Sequence, residues 1–272
     1  MYTSYLKRIL RVGIFSAFTL TAHVGFCQDQ ESNGIQLEFS DGRPNAVGFK
    51  NANAILSQIG VHASLITIPV EAKDILTKSF KRAITEKEHE KLIALFTLNK
   101  DALLKQINLA GRKPEVANGG NLNTSEIGVK PYPKIYDMKA MNEEQQAGAL
   151  RKFGKFHVNS SDDGIGIDEV MTVVAGGPFK WFFILPDQTI VKLTVKNVTP
   201  SEQAVRLSYP GLGIHAGYMD PKNGLIVAYA HGPENFVMRY EKAGIRGEKF
   251  LGTNPWVDFS GPMPKIKDKM EL

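Results

Sequence analysis

Apolar positions recur at two different periods along this chain, and the change of period divides it. From Val70 to Gly111 they return every three or four residues: Leu92, Leu95 and Phe96, then Leu103, Leu104 and Ile107. That spacing places one apolar stripe on each of two helices. Thr85-Glu86-Lys87-Glu88 opens the first of them as a capping box, and Gly111 suits the left-handed position after the second. Upstream, Asp41-Gly42-Arg43-Pro44 reads as a turn, and 55–68 as a short helix followed by a strand over 60–68 that Pro69 closes. A Gly/Asn/Pro-rich loop fills 111–134, and Met138 to Phe153 reads as one more helix.

From Lys155 onward the texture is β. Eight short stretches are rich in β-branched and aromatic residues: 156–159, 168–174, 179–185, 189–197, 205–209, 214–219, 225–230 and 236–240. Turn chemistry separates them, as in Ala175-Gly176-Gly177-Pro178, Pro186-Asp187 and Asp220-Pro221-Lys222-Asn223-Gly224. Closely spaced strands without intervening helices predict a sandwich, jelly roll or small barrel. Trp181-Phe182-Phe183-Ile184-Leu185 has no polar face, so that strand is expected to be covered on both sides. The expected organisation is therefore a signal segment at 1–27, a helical region with one or two strands at 28–154, a β domain at 155–260 and a polar tail at 261–272.

The N-terminus changes how the charge is read. Lys7, Arg8 and Arg11 precede an uncharged, mostly apolar run from Val12 to Phe26, the pattern of a secretory signal peptide. Cleavage after Cys27 predicts an exported chain, periplasmic or extracellular; lipid anchoring at Cys27 is the lesser alternative, because bulky Phe26 sits where a small residue is wanted. Losing 1–27 removes three cations and no anions, so a net charge of +5 falls to +2. A nucleic-acid partner is thereby disfavoured, including a helix–turn–helix reading of 86–112. No transmembrane segment is expected after signal removal. The single Cys leaves with the signal, so no thiolate nucleophile remains.

Candidate chemistry lies in the β half. His157 and Asn159 flank Val158 and share a strand face; Glu169 opens the next strand; His215 follows Pro210-Gly211-Leu212-Gly213. Two imidazoles and a carboxylate on neighbouring strands are the ligand types of a facial triad for a divalent transition metal (Fe, Mn, Ni or Zn). The competing reading makes all three packing residues. His89 lies among glutamates as a surface residue, His62 is read as structural, and His231 is a spare imidazole in a Gly-Pro turn. Asp162, Asp163, Asp168 and Glu169 offer either the carboxylates of a glycosidase or a solvated loop. There is no Gly-x-Ser-x-Gly elbow, and the Gly-x-Gly pairs lack a dinucleotide context.

His157-Val158-Asn159, then Asp168-Glu169-Val170 running to Gly176, resembles the first motif of the cupin superfamily in its acireductone dioxygenase version. Pro210-Gly211 before His215, with a strand, a turn and another strand after it, resembles the second motif. The resemblance spans about 42–240 at the level of motif order. It implies an α+β fold, with an N-terminal helical segment packed on a C-terminal cupin-like double-stranded β-helix (a jelly-roll barrel). It also implies metal ligands at His157, Glu169 and His215, with Asn159 where a second His is expected and His231 as an accessory candidate. Trp181 and Phe183 are expected to line the pocket of a small-molecule ligand. The two function classes that follow are a metal-dependent, dioxygenase-like enzyme and a metal-free β-barrel that binds a ligand or a partner of the cell envelope. A homo-oligomer is among the open assembly states.

Overall fold

The computed structural model describes residues 34–113, 132–201, 203–233, 235–267 and 270, so the expected signal segment and Cys27 lie outside the described residues. Two five-stranded antiparallel sheets form the centre. The first has the order β10 (His215–Tyr218), β7 (Phe179–Ile184), β8 (Ile190–Val195), β1 (Ile35–Phe39) and β2 (Ala46–Val47). The second runs β3 (His62–Thr67), β9 (Gln203–Tyr209), β6 (Asp168–Gly176), β11 (Gly224–His231) and β4 (Lys134–Asp137). Two shorter antiparallel pairs complete the described β structure: β5 (Val158–Ser160) with β12 (Val237–Arg239), and β13 (Val257–Asp258) with β14 (Lys265–Ile266).

Strand alternation sorts the second sheet into two faces. Met171, Val173, Ile226 and Ala228 turn inward and share one core with Phe179, Trp181 and Leu193 of the first sheet. Val170, Val174, Leu225, Val227 and Tyr229 turn the other way and meet Ile75, Leu76, Leu92 and Leu103. Those four come from helices α2 (Val70–Ser79), α3 (Glu86–Leu95) and α4 (Lys100–Leu109), which follow α1 (Phe49–Leu56) in the chain. The architecture is α+β, with helices layered on the outer face of one sheet.

The capping box predicted at Thr85 is formed, with the Thr85 hydroxyl accepting from the Glu88 amide and the Glu88 carboxylate accepting from the Thr85 amide. The expected helix over 138–153 is divided: a single turn at Met138–Ala140, then α5 (Glu143–Phe153), started by a second capping box between Asn142 and Gln145. Strands from both sides of the expected 154/155 boundary share each of the two large sheets. β1 pairs along its whole length with β8, and β3 with β9, so N-terminal strands are built into both sheets. Ile-Gln-Leu-Glu-Phe of β1 alternates buried and half-buried residues, as a strand with one core face must.

β7 is covered on both sides, as its apolar run requires. Its outer cover is Phe156, whose ring meets Phe182 edge-on at 6.5 Å, and behind it Phe250. Each buried Phe contributes about 1.5–3 kcal/mol. The polar tail is tied down over its described part: β14 pairs with β13, and the Tyr218 hydroxyl donates to the Pro264 carbonyl at 2.8 Å. Among the described residues no helix is long and apolar enough to cross a membrane.

Candidate functional site

His157 and His215 face each other across an antiparallel bridge. The amide of each donates to the carbonyl of the other, at 2.9 and 3.0 Å. Directly opposed residues project to the same side, so the two rings stand edge to face with centroids 4.5 Å apart. Asn159, two residues after His157, continues the same face. Glu169 on β6 pairs with Tyr209 on one side and Ala230 on the other, and turns inward toward this group. All four residues are buried, none more than 3% exposed.

The two imidazoles are held in the same way. His157 Nδ1 lies 2.7 Å from the Lys155 carbonyl, and His215 Nδ1 lies 2.7 Å from the Gly213 carbonyl. A carbonyl oxygen only accepts, so each Nδ1 carries a proton, and Nε2 is the lone-pair atom of the neutral ring. Burial first, and the His215 ring second, hold His157 neutral well below the usual imidazole range.

Glu169 is gripped from several directions. Tyr132 donates its hydroxyl to Oε1 at 2.7 Å, and Asn159 donates Nδ2–H to Oε2 at 2.7 Å. The Tyr209 phenol also lies near this carboxylate and feels its charge. Burial and the Glu169 charge push the phenols of Tyr132 and Tyr209 well above their ordinary range, so both remain protonated donors. The Asn159 amide is shared: Nδ2 also lies 3.1 Å from His215 Nε2, which itself stands 3.3 Å from Glu169 Oε2. With Nδ1 of His215 already protonated, the amide hydrogen meets the Nε2 lone pair. Asn159 Oδ1 is buried without any partner.

The loop before His215 is fixed by close packing. The Gly211 carbonyl accepts from the Asn159 amide at 2.8 Å, and the Gly211 amide donates to Asp168 Oδ1 at 3.0 Å. A Cβ on Gly211 would lie 2.2 Å from the Ile167 nitrogen, so only glycine permits that approach.

A cavity of about 50 Å³ opens beside the cluster, bounded by His157, Glu169 and His215 on one side and by Trp181, Met171 and Met238 on the other. Trp181 borders this cavity and Phe183 does not: alternation points Phe183 the same way, but one residue pair further along β7, where it packs on Tyr209 at 5.8 Å and borders a second cavity with Pro210 and Gly213. His231 is also corrected. It pairs in register with Asp168, so it shares the outward face of the sheet, toward the helices, while its neighbour Ala230 faces the core with Glu169. It cannot supply a ligand beside Asn159. Asp162 and Asp163 are exposed at a turn, and Asp168 points away from Glu169, so no carboxylate pair is assembled for glycoside hydrolysis. His89 is half-buried, its Nε2 buried without a partner, rather than fully solvated.

Among the described residues, no three His, Cys, Asp or Glu side chains are set to hold a metal ion as they stand. The carboxylate and one imidazole are instead spanned by the Asn159 amide. The donor types nevertheless suit a divalent transition metal: two Nε2 lone pairs with their far nitrogens anchored, one carboxylate, and an orphaned carboxamide oxygen on the residue between them. Tyr132 and Tyr209 were not foreseen as members of this site. Tyr209 ends a strand that was legible, whereas Tyr132 enters from a loop with no local signal.

No family model matches this chain, and no curated protein matches it. A solved structure similar to it is the acireductone dioxygenase from Bacillus anthracis with a cadmium ion in its active centre. The two chains are 12% identical with a TM-score of 0.45, over 74% of this chain and 93% of that one.

Proposed function

We propose that this chain is an exported cupin-like protein that holds a divalent transition metal (Fe, Mn, Ni or Zn) through His157, Glu169 and His215, and acts as a dioxygenase-like enzyme on a small organic molecule. One observation carries the reading. Both imidazoles have Nδ1 against a backbone carbonyl at 2.7 Å, and Nε2 of His215 stands 3.3 Å from the buried Glu169 carboxylate. A metal bound there supplies Lewis acidity and activation of oxygen. The chain's own residues orient and exclude. Tyr132 and Asn159 fix the plane of Glu169 by holding one oxygen each. Trp181 and the methionines keep bulk water from the cavity. Metal content of the purified full-length protein tests the reading. One equivalent that disappears in His157→Ala and His215→Ala is the expected result, and a wild type that takes up none contradicts it.

The second reading, a metal-free barrel that binds a small ligand, is favoured by the amide that already satisfies Glu169 and His215 together. It predicts ligand binding that a chelator does not change.

A further inference from the structure

The cavity beside the histidines lies between the free edges of the two large sheets, where β10 ends the first and β4 ends the second. Phe153 at the end of α5, Gly217 of β10 and Met238 of β12 are partly exposed there, beside Tyr136 of β4. Two lysines stand on this rim. Lys134 lies two residues before Tyr136 on the same strand face, with its Nζ 4.8 Å from the centre of the Tyr136 ring. Lys152 precedes Phe153, with its Nζ 5.7 Å from that ring. Tyr136 and Phe153 meet edge-on at 5.4 Å, which brings the two ammonium groups to one stretch of rim. Burial first and the Lys152 charge second hold Lys134 below the usual lysine range. Lys152 also acts on His157, well behind burial and the His215 ring. Among the described residues neither ammonium makes a hydrogen bond or an ion pair. The neighbouring Arg151, by contrast, is spent on the carbonyls of Phe259, Gly261 and Pro262.

Each lysine has an ordinary structural use. A cation in the last turn of a helix meets the C-terminal dipole, and a lysine on an edge strand discourages further pairing. Neither use accounts for two unpaired ammonium groups close enough to disfavour each other above the rings of one cavity. We propose that Lys134 and Lys152 form an anion-binding rim, and that the cavity takes a short aliphatic hydroxy acid with its carboxylate held between them. The inference rests on the reading that this cavity receives a small organic molecule, and it needs no metal. Polarity sets the orientation. The rim offers donors and positive charge, whereas the inner wall of His157, His215 and Glu169 keeps mainly accepting capacity, because each Nδ1–H is turned to a backbone carbonyl. An anion therefore stays at the rim, away from Glu169, and a hydroxyl donates at the inner end. Size sets the body. A dry cavity of about 150 Å³ holds benzene, so about 50 Å³ here suits a chain of about three or four carbons and excludes an aromatic ring. Met171, Met219 and Trp181 make the wall between the two ends apolar.

Titration of the full chain with 3-hydroxybutyrate, and with butane-1,3-diol as its uncharged counterpart, tests this apart from any activity. Binding is read from the 15N-labelled indole resonance of Trp181, told apart from that of Trp256 by Trp181→Phe or, should that variant fail to fold, by Trp256→Phe. The acid is expected to move the Trp181 resonance and to bind at least tenfold more tightly than the diol. Both lysines are exposed, so the double variant Lys134→Gln with Lys152→Gln should keep the wild-type melting temperature. It should weaken the acid tenfold or more and leave the diol unaffected. Raising NaCl from about 0.05 to about 0.5 M should weaken the acid severalfold through screening. Acid binding unchanged in the double variant, or acid and diol bound alike, overturns the anion rim and leaves the small-molecule reading of the cavity standing. Benzoate bound as tightly as 3-hydroxybutyrate overturns the short-chain assignment. A Trp181 resonance that none of the three compounds moves overturns both the rim and the small-molecule reading.

Discussion

Asp168 and Glu169 are neighbours in sequence and face opposite sides of one sheet, and the two surroundings built around them have little in common. Around Glu169 the partners are a phenol, an amide and an imidazole beside a small cavity. Around Asp168 the partner is a full cation, Arg112, whose guanidinium lies 3.1 Å away and also donates to Ser208 at 2.7 Å. Glu169 is held in place yet left with charge to offer. Asp168 is neutralised, and its other oxygen holds the Gly211 amide. The outer face is thus the buttress of the inner one, because Gly211 in turn accepts from Asn159, and the same loop carries the Gly213 carbonyl that pins His215.

That contrast predicts unlike consequences for like substitutions. Asp168→Asn leaves Arg112 buried without a counter-charge and should cost about 3 kcal/mol of stability, read by urea unfolding. It should also weaken metal binding severalfold through the loosened Gly211 loop. Glu169→Gln leaves no cation stranded, so its stability should change by less than about 1 kcal/mol while metal affinity falls roughly 100-fold. If the two variants lose stability equally, the division of labour between the faces is wrong.

A pH profile sharpens the comparison from the outer side. Burial, with smaller contributions from Arg112 and Lys100, pushes His231 down to about 4. An unfolded His takes a proton near 6.5, so the unfolded state binds more protons between these values. The stability contributed by neutral His231 is complete above about pH 6.5 and is lost as pH falls toward 4. His231→Gln should flatten the decline of the urea midpoint across that window without altering metal affinity at pH 7. A changed affinity would put His231 at the metal after all. The smallest effect is expected at the helical layer. Thr85→Ala removes one half of a capping box and should cost about 1 kcal/mol by thermal unfolding, with metal binding unchanged.

The strands of the second half were legible because their signals are local: β-branched and aromatic runs between Gly, Pro and Asp turns mark β5 to β12 within a few residues. The capping box at Thr85 was legible for the same reason. Five of the described strands were missed: β1, β2, β4, β13 and β14. β1 alternates cleanly but is only five residues long, and β4 lies against a loop-like stretch. The shared face of His157 and Asn159 followed from strand alternation, but which face His231 used did not. That depends on the register of β11 against β6, which includes a shift between Leu225 and Ile226. Phe183 was misplaced because alternation gives the side of a sheet and not the position along it. Tyr132, which grips Glu169 across 37 positions of sequence, belongs to long-range packing that no local pattern encodes.

The central claim is that one metal ion sits among His157, Glu169 and His215, and anomalous diffraction from metal-soaked crystals tests it most directly. The account predicts one strong anomalous peak about 2.0–2.2 Å from both Nε2 atoms and from a Glu169 oxygen. A crystal in which the Asn159 amide still spans Glu169 and His215, with no peak between them at saturating metal, would contradict it.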